Sequence, residues 1–491
     1  MTVRPDFREF ARLCREYTVV PVWTEILADL ETPVSAFLKI RRGRHSFLLE
    51  SAEQEERTGR YSFIGTEPSV VFRSSGRMCE FLETDTGART VSERADPLSA
   101  LEELCRSFRQ PQMEGLPQLS GGFVGYASYD YVRFLETLPA RAQDDLSFPD
   151  LWFMRAGDLV VFDHFKRKIL LISNSIAPRR SARASYDACV ARIEALRSRL
   201  DERLFLVERR VRPRTFGFRS NVSRTEFEQA VRRTKRYIKA GDIIQAVISQ
   251  RWERKLDTDP LNLYRALRSV NPSPYMFYLE AGDATLVGSS PEILARVDGR
   301  RATVRPIAGT RRRGRSPAEE AALERELLGD AKERAEHIML VDLGRNDLGR
   351  VCLPGTVSVT ELMRIEKYSH VMHLVSNVEG MLPKHATPFA VLRAAFPAGT
   401  LSGAPKIRAM EIIEEMEPVR RGPYGGAVGY FGFSGSMDFC ITIRTFFARR
   451  GVLYLQAGAG IVADSVPSRE YDETVNKAKA LMDAYELSRE I

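Results

Sequence analysis

Two pairs of glutamates have the type and spacing to do chemistry. Glu333 and Glu336 lie in DAKERAEHIMLVDLGRNDLGR (330–350), and Glu470 and Glu473 in SREYDETVNKAKALMDAY (468–485). Carboxylates three residues apart share one helical face, where like charges repel. Such a face is either solvated or holds a cation, and oxygen ligands from two helices suit Mg2+, which takes few carboxylates and completes its shell with water and substrate oxygens. A solvated face is the alternative for either pair alone, since glutamate is rarely buried. The pairs form one site only where the fold joins them. The second helix is expected to be capped by Ser468, with Tyr471, Val475, Ala478, Met482 and Tyr485 as its apolar stripe.

Several further segments suit an anion. RPIAGTRRRG (305–314) begins as a short apolar strand and is expected to open at Gly309-Thr310 into a basic loop, where freed N–H groups, a hydroxyl and guanidinium groups meet. The Thr400-Leu401-Ser402-Gly403 turn feeds a helix starting near Pro405, another N-terminus with unpaired N–H groups. FCITIRTFF (439–447) places Arg444 in an otherwise apolar strand. Its partner is a carboxylate, either of the protein or of a ligand. QAGAGIV (456–462) offers the N–H groups of Gly458 and Gly460. In HVMHLVSNVEG (370–380) the apolar residues alternate as in a strand, which sends His370 and His373 to opposite faces and excludes chelation by the pair. One of them is kept as a proton donor or acceptor, with a structural role as the alternative. The chain has no G-x-x-x-x-G-K-[ST] phosphate loop. A small polyanion held through Mg2+ fits this set better than a nucleotide.

The elements that must position these residues belong to a chain of 491 residues with 73 basic and 65 acidic side chains, a net charge of +8 and 44% hydrophobic content. That is ordinary globular composition. The surplus is carried by 61 Arg against 12 Lys, and RRGR (41–44), RRTKR (232–236) and RRRGR (311–315) keep a basic nucleic-acid-binding protein as a different-class alternative. No apolar run is long enough to span a bilayer, and the first thirty residues mix acid with base and lack a signal-peptide core. The six cysteines contain no C-x-x-C, against a disulfide framework or a cysteine zinc site. A cytoplasmic protein is expected.

Strands dominate up to about residue 175: SFLLES (46–51), YSFIG (61–65), VVFRS (70–74) and a hairpin over 157–173. A helix over 181–207 follows, then a Pro- and charge-rich linker at 208–222. Ser223-x-x-Glu226 is a capping box opening a helix that should end at Gly241. The expected units are thus 1–207 and 223–491. GGFVGY (121–126) recurs as GGAVGY (425–430), and paired roles in two packed sheets are expected for these glycine-rich strands.

Taken together, the motifs resemble the chorismate-utilising enzymes, most closely the large subunits (component I) of anthranilate synthases. SFLLESA and RYSFIG come first, followed in the family's order by GDIIQAVISQR, NPSPYMFY, GSSPEIL, RPIAGTRRRG, KERAEHIMLVDLGRNDLGRV, YSHVMHLVS, GTLSGAPK, RGPYGGAVGY, ITIRT, QAGAGIV and DETVNKA. The resemblance implies an α+β fold of two packed, mainly antiparallel sheets flanked by helices, with regulation in the first half and most of the active site in the second. It implies Mg2+-dependent conversion of chorismate and ammonia to anthranilate and pyruvate, the first step of tryptophan biosynthesis, with ammonia drawn from glutamine by a separate amidotransferase subunit. No nucleic acid and no membrane take part.

Carried over by motif, Glu336 and Glu473 would ligate Mg2+, with Glu333 and Glu470 beside them holding metal-bound waters. Gln245, Gly309, Thr310, Thr400, Tyr424, Arg444, the turn of Gly458, Ala459 and Gly460, and Lys477 would bind substrate. Glu292 matches the general acid for the departing C4 hydroxyl, and His373 the histidine of the pyruvate-releasing step. A partly dry cleft would raise the pKa of Glu292. Water-using relatives carry lysine where Gln245 stands, and makers of 4-amino-4-deoxychorismate usually carry lysine where Ala308 stands. The remaining close alternative stops at 2-amino-2-deoxyisochorismate. Glu50, Ser51, Pro274, Tyr275 and Met276 match a tryptophan pocket that implies feedback inhibition; without the resemblance they describe a strand edge on a proline-rich turn.

Overall fold

Phe47 and Leu48 are sequence neighbours that enter different hydrophobic layers, as do Phe277 and Tyr278, and Leu286 and Val287. Alternation along a strand sends successive side chains to opposite faces, so these strands are buried on both sides. One layer draws Phe47, Phe277 and Leu286 from one sheet and Phe123, Phe153, Phe431 and Phe439 from another. The second layer joins the outer face of the first sheet to helices that include Pro33–Ile40, Pro260–Val270 and Pro467–Ser488. The computed structural model describes residues 2–51, 59–176, 181–204, 217–367 and 371–491. Its fold is α+β, as expected.

Each sheet has 12 strands among the described residues, and its ladders are antiparallel. The first sheet runs from Val19–Leu27 through His45–Glu50, Tyr275–Ala281, Ala284–Ser290, Thr445–Arg449 and Val452–Ile461 to Gln245–Lys255 and Arg219–Ser220. The second runs from Ile307–Arg312 through Val371–Met381, Ile293–Asp298, Met437–Ile441, Ala427–Gly432 and Gly122–Ala127 to Arg89–Glu93. The two halves of the chain therefore do not form separate sheets. In the first sheet Met276 lies opposite Glu50, and in the second Gly429 lies opposite Gly125. Residues 208–216 of the expected 208–222 linker lie outside the described residues.

The repeated glycine motif is thereby corrected: its two copies are adjacent strands of one sheet, not counterparts in two. A Cβ on Gly125 would stand 2.0 Å from the Trp152 carbonyl oxygen, and one on Gly429 2.0 Å from that of Asp438. Close backbone approach on both sides is what the missing side chains permit.

The capping box is present: Glu226 N donates to Ser223 Oγ (3.2 Å), Ser223 N donates to Glu226 Oε2 (2.7 Å), and Gly241 closes the Arg224–Ala240 helix at φ +86°. Ser468, in contrast, does not cap its helix. Pro467 occupies the first turn behind Val466, leaving Ser468 already inside. No described helix is long and apolar enough to cross a membrane.

Candidate active site

The chain passes between the sheets twice in adjacent places, and each crossing carries a site residue. Glu292 lies between Ala284–Ser290 of the first sheet and Ile293–Asp298 of the second. Arg444 lies between Met437–Ile441 of the second and Thr445–Arg449 of the first. Arg444 is thus not inside a strand, as its apolar flanks suggested: those flanks belong to different sheets, and the turn holds Arg444 at φ +49°. Ser289 N donates to the Arg444 carbonyl (3.1 Å) and Ile441 N to that of Glu292 (2.9 Å), which stitches the crossings together.

Glu292 is buried and accepts a hydrogen bond from Thr400 Oγ1 at 2.8 Å. Burial pushes its carboxyl up to about 7, against the opposing pull of the Thr400 hydroxyl, Arg444 and Lys477. His373 projects from Val371–Met381, with Nδ1 3.0 Å from the Gly309 carbonyl and 3.0 Å from Thr310 Oγ1. A ring nitrogen facing a carbonyl carries the proton, which makes Nε2 the acceptor of the neutral ring. Burial lowers the His373 pKa despite the Gly309 contact, and Arg444 lowers it further. His370 falls outside the described residues.

Gly309 and Thr310 do not open a loop. The strand continues to Arg312 with a register shift between Ala308 and Thr310, where Gly309 adopts φ +64°. A Cβ there would lie 3.3 Å from Glu333 Oε2. Gly458, Ala459 and Gly460 are likewise strand, not turn. They pair with Ser249, Ile248 and Val247, while the neighbour on the other edge, Thr445–Arg449, pairs only as far as Leu455. Tyr424 Oη stands 2.9 Å from the place of a Cβ on Gly458, and Gln245 Nε2 2.5 Å from that of one on Gly460. Side chains at either glycine would fill space that the site uses.

The carboxylate pairs come from the helices Ala331–Gly349 and Pro467–Ser488. Asp330 caps the first by accepting from Lys332 N and Glu333 N. Arg311 Nη1 donates to Glu333 Oε1 (3.2 Å), and Gln245 Nε2 to Glu336 Oε1 (3.2 Å). On the second helix Lys477 pairs with Glu473 (2.8 Å) and donates to the Gly458 carbonyl (3.0 Å). Glu470 has a raised pKa, first from burial and also from Glu473, opposed by the Ser465 hydroxyl, Lys332 and Lys477. Lys332 belongs to the first helix, so a charge on that helix acts on Glu470 of the second.

Among the described residues no three His, Cys, Asp or Glu converge into a ready metal cage. Few carboxylates, with substrate supplying the remaining oxygens, is the donor set a Mg2+ ion accepts. The repulsion between Glu470 and Glu473 is what a cation would relieve. The residues present fit such an ion.

Glu50, Ser51, Pro274, Tyr275 and Met276 line one cavity of about 1320 Å³ between the sheets. Glu50 is buried, accepts from Tyr264 Oη and from Arg268 Nη2 (3.3 Å), and has a pKa raised by burial against those two contacts. Tyr275 Oη donates to Asp438 Oδ1 (3.0 Å), and Arg296 Nε to Asp438 Oδ2 (2.9 Å).

Two residues behind the site were not singled out in the sequence, Glu417 and Arg421. Their signal was an arginine four residues after a glutamate, at the head of RGPYGG. The basic runs serve the protein's own acids: Arg41 pairs with Glu280, Arg232 with Glu228, and Arg311, Arg312 and Arg313 with Glu326, Glu319 and Glu320.

The family model for chorismate binding enzymes matches residues 44–483. The chain belongs to that family. Among relatives of this chorismate binding enzyme, anthranilate synthase component 1 of Acetivibrio thermocellus is 47% identical over 99% of both chains. The protein of the same name from Thermus thermophilus is 48% identical, covering 95% of this chain and 98% of its own. The solved anthranilate synthase component I of Streptococcus pneumoniae superposes with a TM-score of 0.76 at 36% identity, covering 93% and 98% of the two chains. The menaquinone-specific isochorismate synthase of Escherichia coli shares the fold, with a TM-score of 0.71 at 18% identity over 97% and 98% of the chains.

Proposed function

We propose that this chorismate binding enzyme is the large subunit of an anthranilate synthase, converting chorismate and ammonia to anthranilate and pyruvate at the start of tryptophan biosynthesis. The observation that carries this reading is the buried Glu292, hydrogen-bonded to Thr400 and held near neutrality, in one site with Gln245 where a water-activating lysine would otherwise stand. Glu292 in its protonated form donates to the C4 hydroxyl as it departs and ammonia adds at C2. Arg444 and the open edge of residues 456–461 hold the substrate's carboxylates. The neutral His373 accepts the C2 proton at Nε2, and the ring–oxygen bond breaks to release enolpyruvate, which becomes pyruvate. Ala308 leaves no lysine to attack C2 and redirect nitrogen to C4.

Glu336 and Glu473 would hold Mg2+, with Glu333 and Glu470 orienting its waters. The ion would supply positive charge for the ring carboxylate of chorismate.

The nitrogen donor is a separate glutamine amidotransferase subunit. All six thiols have raised pKa values, first through burial, whereas a glutaminase nucleophile requires a lowered one. Free thiols also suit the cytoplasm. Tryptophan is proposed as the feedback inhibitor, in the cavity lined by Glu50, Ser51 and Pro274–Met276.

The test combines the purified chain, chorismate, Mg2+ and ammonium. Fluorescent anthranilate with an equal amount of pyruvate supports the reading, and absence of both refutes it. An amino-cyclohexadiene without pyruvate identifies a 2-amino-2-deoxyisochorismate synthase instead.

A further inference from the structure

A buried ion pair lies behind the Thr400 turn and has no part in the roles above. Glu417 and Arg421 have side chains only 4% and 2% exposed. Glu417 Oε1 accepts from Arg421 Nη2 (2.6 Å), Ser249 N (2.8 Å) and Ser249 Oγ (2.7 Å), and Oε2 accepts from Arg421 Nε (2.8 Å). Arg421 Nη1 donates to the Leu401 carbonyl and Nη2 to that of Val247, each at 2.7 Å. The guanidinium lies over the rings of Tyr129 and Tyr424, 4.6 and 5.6 Å from their centroids.

Burying such a pair is a poor source of stability compared with apolar packing. Its contacts, however, end where the site is built. Leu401 follows Thr400, which donates to Glu292. Val247 and Ser249 pair with Gly460 and Gly458, and the Tyr424 hydroxyl stands against Gly458. A rigid planar fork with five donors can meet acceptors in several directions at once, which a lysine ammonium on a flexible stem cannot.

We propose that Glu417 and Arg421 are a positioning pair that locks the 399–402 turn and Tyr424 onto the Gln245–Lys255 strand, so that the Thr400 hydroxyl stays on Glu292. This rests on Glu292 being the general acid. The groups acting on that carboxyl are the Thr400 hydroxyl, Arg444 and Lys477. A slipped turn removes the first and leaves the two cations.

The full chain is assayed with chorismate, Mg2+ and ammonium across pH. Arg421→Lys is expected to lower kcat about 10- to 100-fold, the scale of a misplaced reacting group, with a smaller change in KM. The alkaline limb of the pH profile should move upward, because the Thr400 bond favours the ionised carboxylate. Thr400→Val should move the limb the same way, and the double variant no further. An Arg421→Lys enzyme with a lower melting temperature but an unmoved limb and kcat overturns the proposal, as do additive shifts in the double variant. Should Arg421→Lys not fold, Glu417→Gln, which keeps the side-chain shape, is judged by the same criteria. Glu292→Gln with full activity would remove the acid assignment and this proposal with it. An inactive Glu292→Gln beside a normal Arg421→Lys limb removes the positioning role alone.

Discussion

Glu292 and Arg444 occupy two adjacent points where the chain crosses between the sheets, and backbone hydrogen bonds of 2.9 and 3.1 Å tie these crossings together. The proposed proton donor and the cation proposed to grip substrate are thereby set in one frame. Arg444→Gln is expected to raise KM for chorismate about tenfold or more, as a lost charge-assisted pair does. It should also move the alkaline limb upward, since Arg444 lowers the Glu292 pKa. Steady-state kinetics across pH measure both effects.

The proposed acid is active when protonated and sits at about 7. At a fixed concentration of free ammonia, activity should therefore fall as pH rises through that value. Glu292→Gln cannot donate the proton and should lose about 10²- to 10⁴-fold in kcat. A limb that survives in the Gln variant would assign it to another group.

His373 is proposed to act in the second step only. His373→Asn should consume chorismate and accumulate the amino-cyclohexadiene, with pyruvate release falling about 100-fold. Stopped incubations separated by chromatography distinguish this from a general loss of activity, in which chorismate consumption would fall in parallel.

Glu336→Gln and Glu473→Gln should each raise the Mg2+ concentration for half-maximal activity at least about tenfold, since even outer-shell changes at metal sites cost that much. Titration with Mg2+ at saturating ammonium measures it. An unchanged requirement would return the glutamates to a solvated face.

At the sheet seam, Gly429→Ala would drive a methyl group to 2.0 Å from the Asp438 carbonyl oxygen. The strands must separate to admit it, at a cost of about 1–3 kcal/mol, measurable by urea denaturation. Substitution of Gly435, where a Cβ meets nothing within 4 Å, tests a different quantity: its φ of +84° alone.

Much of this was legible in the sequence wherever the signal was local. The Ser223 box, the strands of the first half and the helices bearing the glutamate pairs follow from short-range pattern, and the ordered motifs led to the fold. Sheet membership was not legible, because antiparallel partners hundreds of residues apart leave no periodicity of their own. For that reason Arg444 was placed within a strand, Gly458–Gly460 in a turn, and the two glycine motifs in different sheets. The role of Glu417 and Arg421 was missed because Arg421 donates to the backbone carbonyls of Leu401 and Val247, which no side-chain pattern advertises.

The seams also bear on how the protein is made. Gly122–Ala127 can pair early with Leu151–Ala156, but its other edge is covered only when Ala427–Gly432 has been synthesised, a delay of roughly 15–60 s at ordinary translation speeds. Until then one edge of an apolar strand stands open on the ribosome, the kind of edge that invites pairing with another nascent chain. Yield in the cell should thus depend on chaperone capacity more than the stability of the finished enzyme would suggest.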